Sequence, residues 1–268
     1  WLKVAALPVL QEYVTAKMKE DWSPEEIAGR IKYVETSIPR ATTPSIYKYI
    51  YSIYGRKIEQ YLRYVKQTKK DDAHASSGIT NRTFIDQRPK KVEKRRFFGD
   101  WEADFIVSGK HGSGYLAVFV ERKTRYVVIR KITLKDTNTV FRLFQKILGG
   151  MFVVSTLTID NDIVFRKHTE LSAMIGAPVY FTHPYHSWEK GTVENMNKWI
   201  RQYVPKKSDI SKLTDEYIQM IEEKLNGRPR KCLRFRTPRE MIQKENGMKK
   251  DVALLQLSAL QERFGLGV

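Results

Sequence analysis

The run "DWEADFIVSG", residues 100–109, alternates polar and apolar side chains from Asp100 to Phe105, a period of two that is typical of a β-strand. Two further runs rich in β-branched and aromatic residues follow, "GYLAVFVERK" at 114–123 and "RYVVIRKITL" at 125–134. The connections "KHGSG" and "KTR" have lengths suited to antiparallel hairpins. These runs therefore predict three strands joined by hairpins.

Downstream of the hairpins the pattern alternates between helix and strand. The predicted elements are a helix at 138–150, a strand at 152–160, a helix at 167–177, a short strand at 178–182 and a helix that starts near Gly191. Three hairpin strands followed by alternating helices and strands predict a mixed α/β domain.

The N-terminal part of the chain predicts helices. In "WSPEEIAGRIK", Ser23 and Glu26 form a capping box and Pro24 occupies the first helical position. "TTPSIYKYIYSIYG" repeats this arrangement with Thr43 as the cap and an apolar stripe that ends at Ile53. Short capped helices in succession resemble a helix-turn-helix, whose last helix would lie in the DNA major groove. An ordinary small helical bundle is the alternative.

Composition and period divide the chain into four predicted regions. They are a helical domain at 1–66, a basic linker at 67–98, the α/β domain at 99–208 and a C-terminal helical region at 209–268. The linker lacks a clear period, and it either runs along DNA phosphates or forms a solvated tether. Because the sequence starts with Trp1, we expect that it begins inside a longer protein and that the N-terminal domain is truncated.

Net charge is the strongest global feature of the sequence. The 48 Lys and Arg residues against 30 Asp and Glu give a charge of +18 and a pI near 9.8, which favours a polyanionic partner, most simply nucleic acid. No apolar run approaches the ~20 residues that a membrane span needs. The single Cys232 excludes an internal disulfide framework and suits a reducing compartment.

Two aspartates stand where they could carry chemistry. Asp104 lies within the first predicted strand, on the same face as Glu102, and an Asp there needs either water or a partner such as a divalent metal. Asp160 ends the strand at 152–160, where open α/β sheets often bind ligands. Turn-forming Asp residues are also common at such positions, so both interpretations stay open.

Two glutamates flank the start of the predicted helix in "WEKGTVENMNKWIRQYVPKK", residues 188–207. If the helix starts at Gly191, Glu189 precedes it and Glu194 falls in its first turn. Helical geometry predicts an apolar stripe of Val193, Met196, Ile200 and Val204 and a polar flank of Glu194, Asn197, Lys198 and Arg201. Glu194 either takes part in catalysis or only interacts favourably with the positive end of the helix dipole.

Four segments carry a resemblance to a known family: "GDWEADFI", "LTIDND", "HPYHSWEKGTVENMNKWIRQYVPKKSDIS" and "RPRKCLRFRTPREM". They are similar to the signature blocks of bacterial insertion-sequence transposases of the family numbered thirty, over about residues 22–242. These are Asp-Asp-Glu recombinases related to retroviral integrases. The resemblance implies an α/β fold, a ribonuclease H-like mixed five-stranded sheet with flanking helices, preceded by an all-α helix-turn-helix domain.

The resemblance also implies an enzyme. Asp104, Asp160 and Glu194 match a catalytic triad that holds two Mg²⁺ ions, for which Mn²⁺ can substitute. Glu189 matches a position often held by Gln, so its carboxylate is not required. The implied activity is DNA transposition: binding of insertion-sequence ends, cleavage of phosphodiester bonds and joining of the 3′-hydroxyl to target DNA by in-line transesterification. A catalytically inert helix-turn-helix regulator and a metal-dependent nuclease that does not join strands are the alternatives.

The expected partners are double-stranded DNA, as terminal repeats and as target, and a second copy of the chain in a homodimer, with no membrane. The expected location is the bacterial cytoplasm, at the nucleoid. The candidate DNA-binding residues are Asn197, Lys198, Arg201, Lys48, Lys90, Lys91, Arg95 and Arg96. One departure is that the family commonly shows Asp-Asn-Gly followed two residues later by Glu-Phe, whereas this chain has Asp162 for the glycine and Val164 for the acid. The triad is unaffected, but the loop conformation and fine metal affinity are in question.

Overall fold

The computed structural model describes residues 2–62, 79–184 and 186–245. The chain forms two compact units: Trp1–Ala73 with Glu223–Met241, and His74–Glu222 with Ile242–Val268. The predicted domain boundaries stay a prediction, and the two units divide the chain differently. Residues 223–241, which the sequence placed in a separate C-terminal region, belong to the same unit as the N-terminal helices.

The first unit is helical, as predicted. Its N-terminal helices are α1 (Lys3–Ala6), α2 (Pro8–Lys19), α3 (Pro24–Tyr33) and α4 (Thr43–Ile50). α3 begins with the predicted capping box, in which the Ser23 side chain accepts from the Glu26 N–H and the Glu26 carboxylate accepts from the Ser23 N–H at 2.7 Å. Apolar side chains from all four helices form the core of this unit.

Both ends of α4 differ from the prediction. Its N-cap is Thr42 and not Thr43, because Thr42 has the extended backbone of a cap and its Oγ1 accepts from the Ser45 N–H. Ile53 lies beyond the end of the helix and is 82% exposed. The remaining positions of the predicted stripe, Ile46, Tyr49 and Ile50, are buried.

The C-terminal segment of the first unit packs against α3. The Arg30 guanidinium donates to the Phe235 carbonyl at 3.2 Å and pairs with Glu240. The Tyr33 ring stacks on the Phe235 ring with centroids 5.6 Å apart. The Arg30–Phe235 contact joins residues 205 positions apart, so no local pattern in the sequence could predict it.

The second unit contains a five-stranded sheet with the order β3-β2-β1-β4-β5. Its strands are β1 (Asp100–Val107), β2 (Tyr115–Glu121), β3 (Val127–Ile132), β4 (Thr156–Ile159) and β5 (Val179–Phe181). β1 to β3 pair antiparallel, whereas β1 with β4 and β4 with β5 pair parallel. The predicted mixed five-stranded, ribonuclease H-like sheet is confirmed, and β1 is its central strand.

Helices cover both faces of this sheet. They are α5 (Thr137–Phe144) with its π-helical continuation Gln145–Met151, α6 (His168–Ile175) and α7 (Gly191–Tyr203). α5 and α6 pack on the face that carries Trp101 and Ala103. α7 packs on β1 and β2 on the opposite face, which carries Glu102 and Asp104. The face of Asp104 is therefore covered by a helix and is not an open, solvated face.

Residues 79–98 of the predicted linker pack onto the second unit. The Phe181 N–H donates to the Thr83 carbonyl at 2.9 Å, which extends the edge of the sheet beyond β5. Arg88 is buried and donates to Thr158 Oγ1 at 2.8 Å. This part of the chain is thus held against the sheet.

Two further helices, α8 (Asp215–Asn226) and α9 (Pro238–Lys244), lie in the C-terminal part of the chain. Residues 67–78, predicted as linker, and 246–268, predicted as mostly helical, lie outside the described residues. Among the helices that the structure describes, none has the length and apolar character needed to cross a bilayer.

Candidate active site

The pairing of β1 with β4 brings two of the predicted catalytic residues together. In the parallel register Glu102 stands opposite Thr158, and each aspartate lies two residues further along, Asp104 within β1 and Asp160 just beyond the end of β4. Side chains two positions apart on a strand share a face, and both carboxylates therefore belong to the face that α7 covers. Neighbouring strands lie about 4.8 Å apart. The register alone thus places two like charges side by side.

A buried ammonium group lies between these carboxylates. Lys190 Nζ is 3.3 Å from Asp104 Oδ1 and 3.8 Å from Asp160 Oδ2, and the Lys190 side chain is 5% exposed. Burial lowers the pKa of Lys190, but the charges of Asp104 and Asp160 outweigh burial and leave this pKa above its usual value. Lys190 is therefore charged at neutral pH, and it offsets the repulsion between the two aspartates.

One oxygen of Asp160 has no partner among the described residues. Asp160 Oδ1 is buried without a hydrogen bond. Burial raises the pKa of the Asp160 carboxyl, Lys190 opposes the shift and Asp104 adds to it. A buried oxygen without a partner costs free energy, and a hard divalent cation, which prefers oxygen ligands, would satisfy it. The residues at this position therefore fit a magnesium site.

A buried glutamate fixes α7 to β1. Glu102 is fully buried, and its Oε2 accepts from the N–H groups of Thr192 and Val193 at 3.1 and 2.9 Å. Its Oε1 lies 2.9 Å from Arg122 Nε. A carboxylate at a helix N-terminus satisfies N–H groups that have no partner within the helix, and it is favoured by the helix dipole. Glu102 therefore sets where α7 starts relative to Asp104.

From its start beside Glu102, α7 runs along β1 with its polar flank toward Asp104. Asn197 donates its amide N–H to Asp104 Oδ2 at 2.9 Å. From Glu102 to Asp104 the strand advances about 6.6 Å, which is close to the roughly 7.5 Å that the helix rises from Thr192 to Asn197. Glu194 lies in the first turn of α7, as predicted, and helical phase puts it on the Asn197 flank. Among the described residues, the ligand atoms of Asp104, Asp160 and Glu194 do not all come within 4.8 Å of one another.

The predicted DNA-contact residues differ in their surroundings. Six of them are exposed: Lys48, Lys90, Lys91, Arg95, Arg96 and Lys198. Asn197 contacts Asp104, and Arg201 donates to the Val107 carbonyl at 2.9 Å. Burial lowers the pKa of the Arg201 guanidinium. Arg201 thus helps hold α7 to the end of β1, and DNA contact by these eight residues stays a prediction.

The two residues that depart from the family pattern have local structural roles. Asp162 caps the short turn Ile163–Phe165 by accepting from the Val164 N–H at 3.1 Å, and it pairs with Lys135. The Val164 side chain is buried in the core of the second unit. Asp162 is therefore engaged with Lys135, whereas Asp160 faces Lys190.

Sequence reasoning assigned no role to Glu102 or Lys190. A signal existed for Glu102, because it shares a strand face with Asp104 and a charged side chain beneath a helix needs a partner. No comparable signal existed for Lys190. Its place between Asp104 and Asp160 depends on the path of the loop before α7 across the end of the sheet.

Glu189 takes part in a different network. Its Oε1 is 2.9 Å from His183 Nδ1 and 3.3 Å from His186 Nδ1, and its Oε2 accepts from the His183 N–H at 2.8 Å. The hydrogen bond with Glu189 raises the pKa of His183. Glu189 therefore orders the loop that precedes α7, while Lys190, the next residue, reaches the aspartates.

The substitution Lys190→Met tests the role of the buried ammonium. It leaves the Asp104 and Asp160 carboxylates without their counter-ion, and removing one partner of a buried ion pair costs roughly 3–5 kcal/mol. Because the Asp160 side chain is 40% exposed, we expect a loss near the lower end of that range. The free energy of unfolding is measured by denaturant titration in EDTA, and added Mg²⁺ should recover part of the loss.

Lys198→Met is the matched control, because Lys198 is an exposed lysine of α7, the helix that begins directly after Lys190. It should change the free energy of unfolding by less than about 0.5 kcal/mol. Equal stability of the two variants in EDTA would contradict the role assigned to Lys190.

The chain is similar to transposases along most of its length. It is 37% identical over 244 residues to the transposase for insertion sequence element IS4351 of Bacteroides fragilis, which covers 89% of this chain and 74% of that protein. Transposase InsI for insertion sequence element IS30A of Escherichia coli K12 is 32% identical over 249 residues, which covers 88% of this chain and 64% of that protein. The transposase for IS1086 of Cupriavidus metallidurans is 32% identical over 251 residues, with coverage of 90% and 74%. The chain thus spans 64–74% of the length of these relatives.

No protein-family model matches the chain. Among solved structures, the catalytic core domain of BIV integrase is similar with a TM-score of 0.42 and 18% identity, over 55% of this chain and 95% of that chain. A simian T-cell lymphotropic virus intasome in complex with PP2A regulatory subunit B56 gamma gives a TM-score of 0.41 and 13% identity. The match covers 76% of this chain and 68% of that chain. The sequence identity and coverage of the transposases decide the family. This chain belongs to the IS30 family of insertion-sequence transposases.

Proposed function

We propose that this chain is a metal-dependent DNA transposase that binds the ends of its insertion sequence, cleaves phosphodiester bonds there and joins the 3′-hydroxyl to target DNA. The proposed reaction is in-line transesterification with two Mg²⁺ ions held by Asp104, Asp160 and Glu194, and Mn²⁺ can substitute. The observation that carries the proposal is the pair of aspartates on one covered sheet face, around a buried cation. Because two element ends must be brought together, we propose that it acts as a homodimer on double-stranded DNA.

The spacing of the aspartates supports a two-metal site. Metal ions in such sites lie about 3.5–4 Å apart, and carboxylates on neighbouring strands suit that separation, since the strands are about 4.8 Å apart. Asp160 Oδ1 is a buried oxygen that accepts no hydrogen bond among the described residues. The two oxygens of Asp104 contact Lys190 and Asn197, so both face polar groups of the site. Asp104 would therefore supply oxygen ligands beside those of Asp160 when metal is bound.

Bound Mg²⁺ would lower the pKa of an attacking water and stabilise charge on the entering and leaving oxygens. The chain's own residues prepare the site for that chemistry. The Asn197 amide orients Asp104, and Glu102 fixes the start of α7 and with it the position of Glu194. Lys190 offsets part of the charge of the two aspartates and so helps hold them together.

Positive charge around the start of α7 supports DNA binding at this site. Arg95 Nη2 and Arg125 Nη1 each donate to Thr192 Oγ1 at 3.3 Å, in the first turn of the helix that carries Glu194. Guanidinium groups bind phosphate with favourable geometry. With a formal charge of +18, the chain suits a duplex held by its phosphates. In the helical unit, the exposed Lys48 of α4 is the corresponding candidate.

Glu194→Gln tests the third proposed ligand. The substitution removes the charge and keeps the size of the side chain, so cleavage and joining should be abolished while DNA binding persists. Labelled DNA with the element ends is incubated with a target plasmid in Mg²⁺, and cleaved and joined products are separated on a gel. Binding of the same DNA is measured in EDTA.

Glu170→Gln is the matched control for Glu194→Gln. Glu170 is also a first-turn acid, in α6, so it shares the favourable position on a helix dipole. It should keep both binding and activity. Full activity of Glu194→Gln would contradict the triad. Cleaved but unjoined products from the unsubstituted chain would favour the nuclease alternative, and binding without cleavage would favour the inert regulator.

Lys198→Ala and Arg201→Ala separate a DNA contact from a structural one. Each neutralised phosphate contributes about 0.9 to the slope of log K against log salt, so loss of a Lys198 contact should reduce the slope by about that amount without changing stability. Arg201→Ala should reduce the salt slope and also the free energy of unfolding, because the Arg201 guanidinium donates to the Val107 carbonyl. The exposed Lys167 supplies a control, and Lys167→Ala should leave the slope unchanged. An unaltered slope in all three variants would argue against DNA contact by α7.

A further inference from the structure

We propose a second metal site, for Zn²⁺ or a similar divalent transition metal, formed by His183, His186 and Glu189. These residues lie between β5 and α7 in the chain and are distinct from the carboxylates proposed to hold Mg²⁺. One nitrogen of each histidine and one oxygen of the glutamate lie within 4.8 Å of one another. The site does not depend on whether the chain cleaves or joins DNA.

The distances among the three side chains are close to those of a tetrahedral zinc site. Zinc bonds of about 2.0–2.1 Å to nitrogen and oxygen place the ligand atoms of a tetrahedron about 3.3 Å apart. Glu189 Oε1 is 2.9 Å from His183 Nδ1 and 3.3 Å from His186 Nδ1. Small side-chain rotations would therefore admit an ion, and a water would occupy the fourth position.

Contacts behind the ligand atoms hold two of these side chains in place. His183 Nε2 is 2.8 Å from Asp86 Oδ2, and the His183 ring stacks on Phe84 with centroids 5.1 Å apart. Glu189 Oε2 accepts from the His183 N–H at 2.8 Å, which leaves Oε1 directed at the histidines. Metal-binding histidines almost always donate their second N–H to a carboxylate or carbonyl, and Asp86 supplies that acceptor.

The alternative is a hydrogen-bonded loop without metal, in which His183 would donate to both carboxylates. Both ring nitrogens of His183 face carboxylates, Nδ1 that of Glu189 and Nε2 that of Asp86, whereas a neutral imidazole has only one N–H to donate. A metal at Nδ1 leaves the neutral ring with its Nε2–H for Asp86. Two imidazoles and one carboxylate suit zinc better than Mg²⁺, which prefers oxygen ligands.

An ion at this position would connect both ends of the loop before α7. His183 follows β5 closely, and Glu189 directly precedes Lys190, whose ammonium lies between Asp104 and Asp160. Zinc would therefore restrict the segment that delivers Lys190 to the aspartates.

Zinc binding to the EDTA-stripped chain tests the proposal by equilibrium dialysis and metal analysis. Excess Mg²⁺ occupies the carboxylates that prefer it, and a Cys232→Ser background removes the exposed free thiol. We expect about one Zn²⁺ per chain. His186→Ala and Glu189→Gln should each lower the zinc affinity at least about 10-fold, and the loss of the outer carboxylate in Asp86→Asn should lower it by about 10-fold.

His111→Ala is the matched control, because His111 is an exposed histidine in the turn between β1 and β2. Its zinc affinity should equal that of the parent. Equal affinity in the parent, His186→Ala and Glu189→Gln would overturn the proposal, as would zinc binding that is lost in Asp104→Asn and kept in His186→Ala. If circular dichroism shows that either His186→Ala or Glu189→Gln is unfolded, the zinc affinities of the other variant and of Asp86→Asn test the proposal. Unchanged affinity in both would overturn it.

Discussion

The repulsion between two neighbouring aspartates is the constraint around which this site is arranged. The parallel pairing of β1 with β4 brings Asp104 and Asp160 to the same end of the sheet, and like charges on neighbouring strands about 4.8 Å apart repel by roughly 3 kcal/mol at an effective dielectric constant near 20. Lys190 Nζ lies at 3.3 and 3.8 Å from the two carboxylates, where each attraction is worth roughly 4–5 kcal/mol on the same scale. The ammonium thus outweighs the repulsion between the two carboxylates. The same demand for positive charge is what we propose divalent metals meet at this site.

The position of Glu194 depends on how α7 packs on the sheet. The apolar stripe Val193, Met196, Ile200 and Val204 is buried, which holds the helix on the sheet. Glu102 then fixes its register, because its carboxylate accepts from the first N–H groups of the helix. A shift of one residue along α7 would rotate Glu194 by about 100° and remove it from the flank that faces Asp104. A buried glutamate outside the proposed triad therefore determines where Glu194, the third proposed ligand, stands.

The features that were predicted from the sequence are those with a local period or a local cap. The alternation in β1, the first-turn position of Glu194 and the capping box of Ser23 and Glu26 each depend on residues within a few positions, and the structure confirms them. The α4 cap was misplaced by one residue, because Thr42 and Thr43 are adjacent residues of the same type and only backbone geometry separates them. The position of Lys190 and the packing of residues 223–241 on α3 were not predicted. They depend on contacts between distant parts of the chain, and no sequence period records such contacts.

Anomalous diffraction from crystals grown with Mn²⁺ tests most directly whether Asp104, Asp160 and Glu194 hold divalent cations. Mn²⁺ accepts the same oxygen ligands as Mg²⁺ and can be located by its anomalous signal. We expect anomalous peaks bounded by these three carboxylates, with the Lys190 ammonium moved from its place between the aspartates. Crystals at saturating Mn²⁺ that show no peak there, with Lys190 still between Asp104 and Asp160, would contradict the assignment.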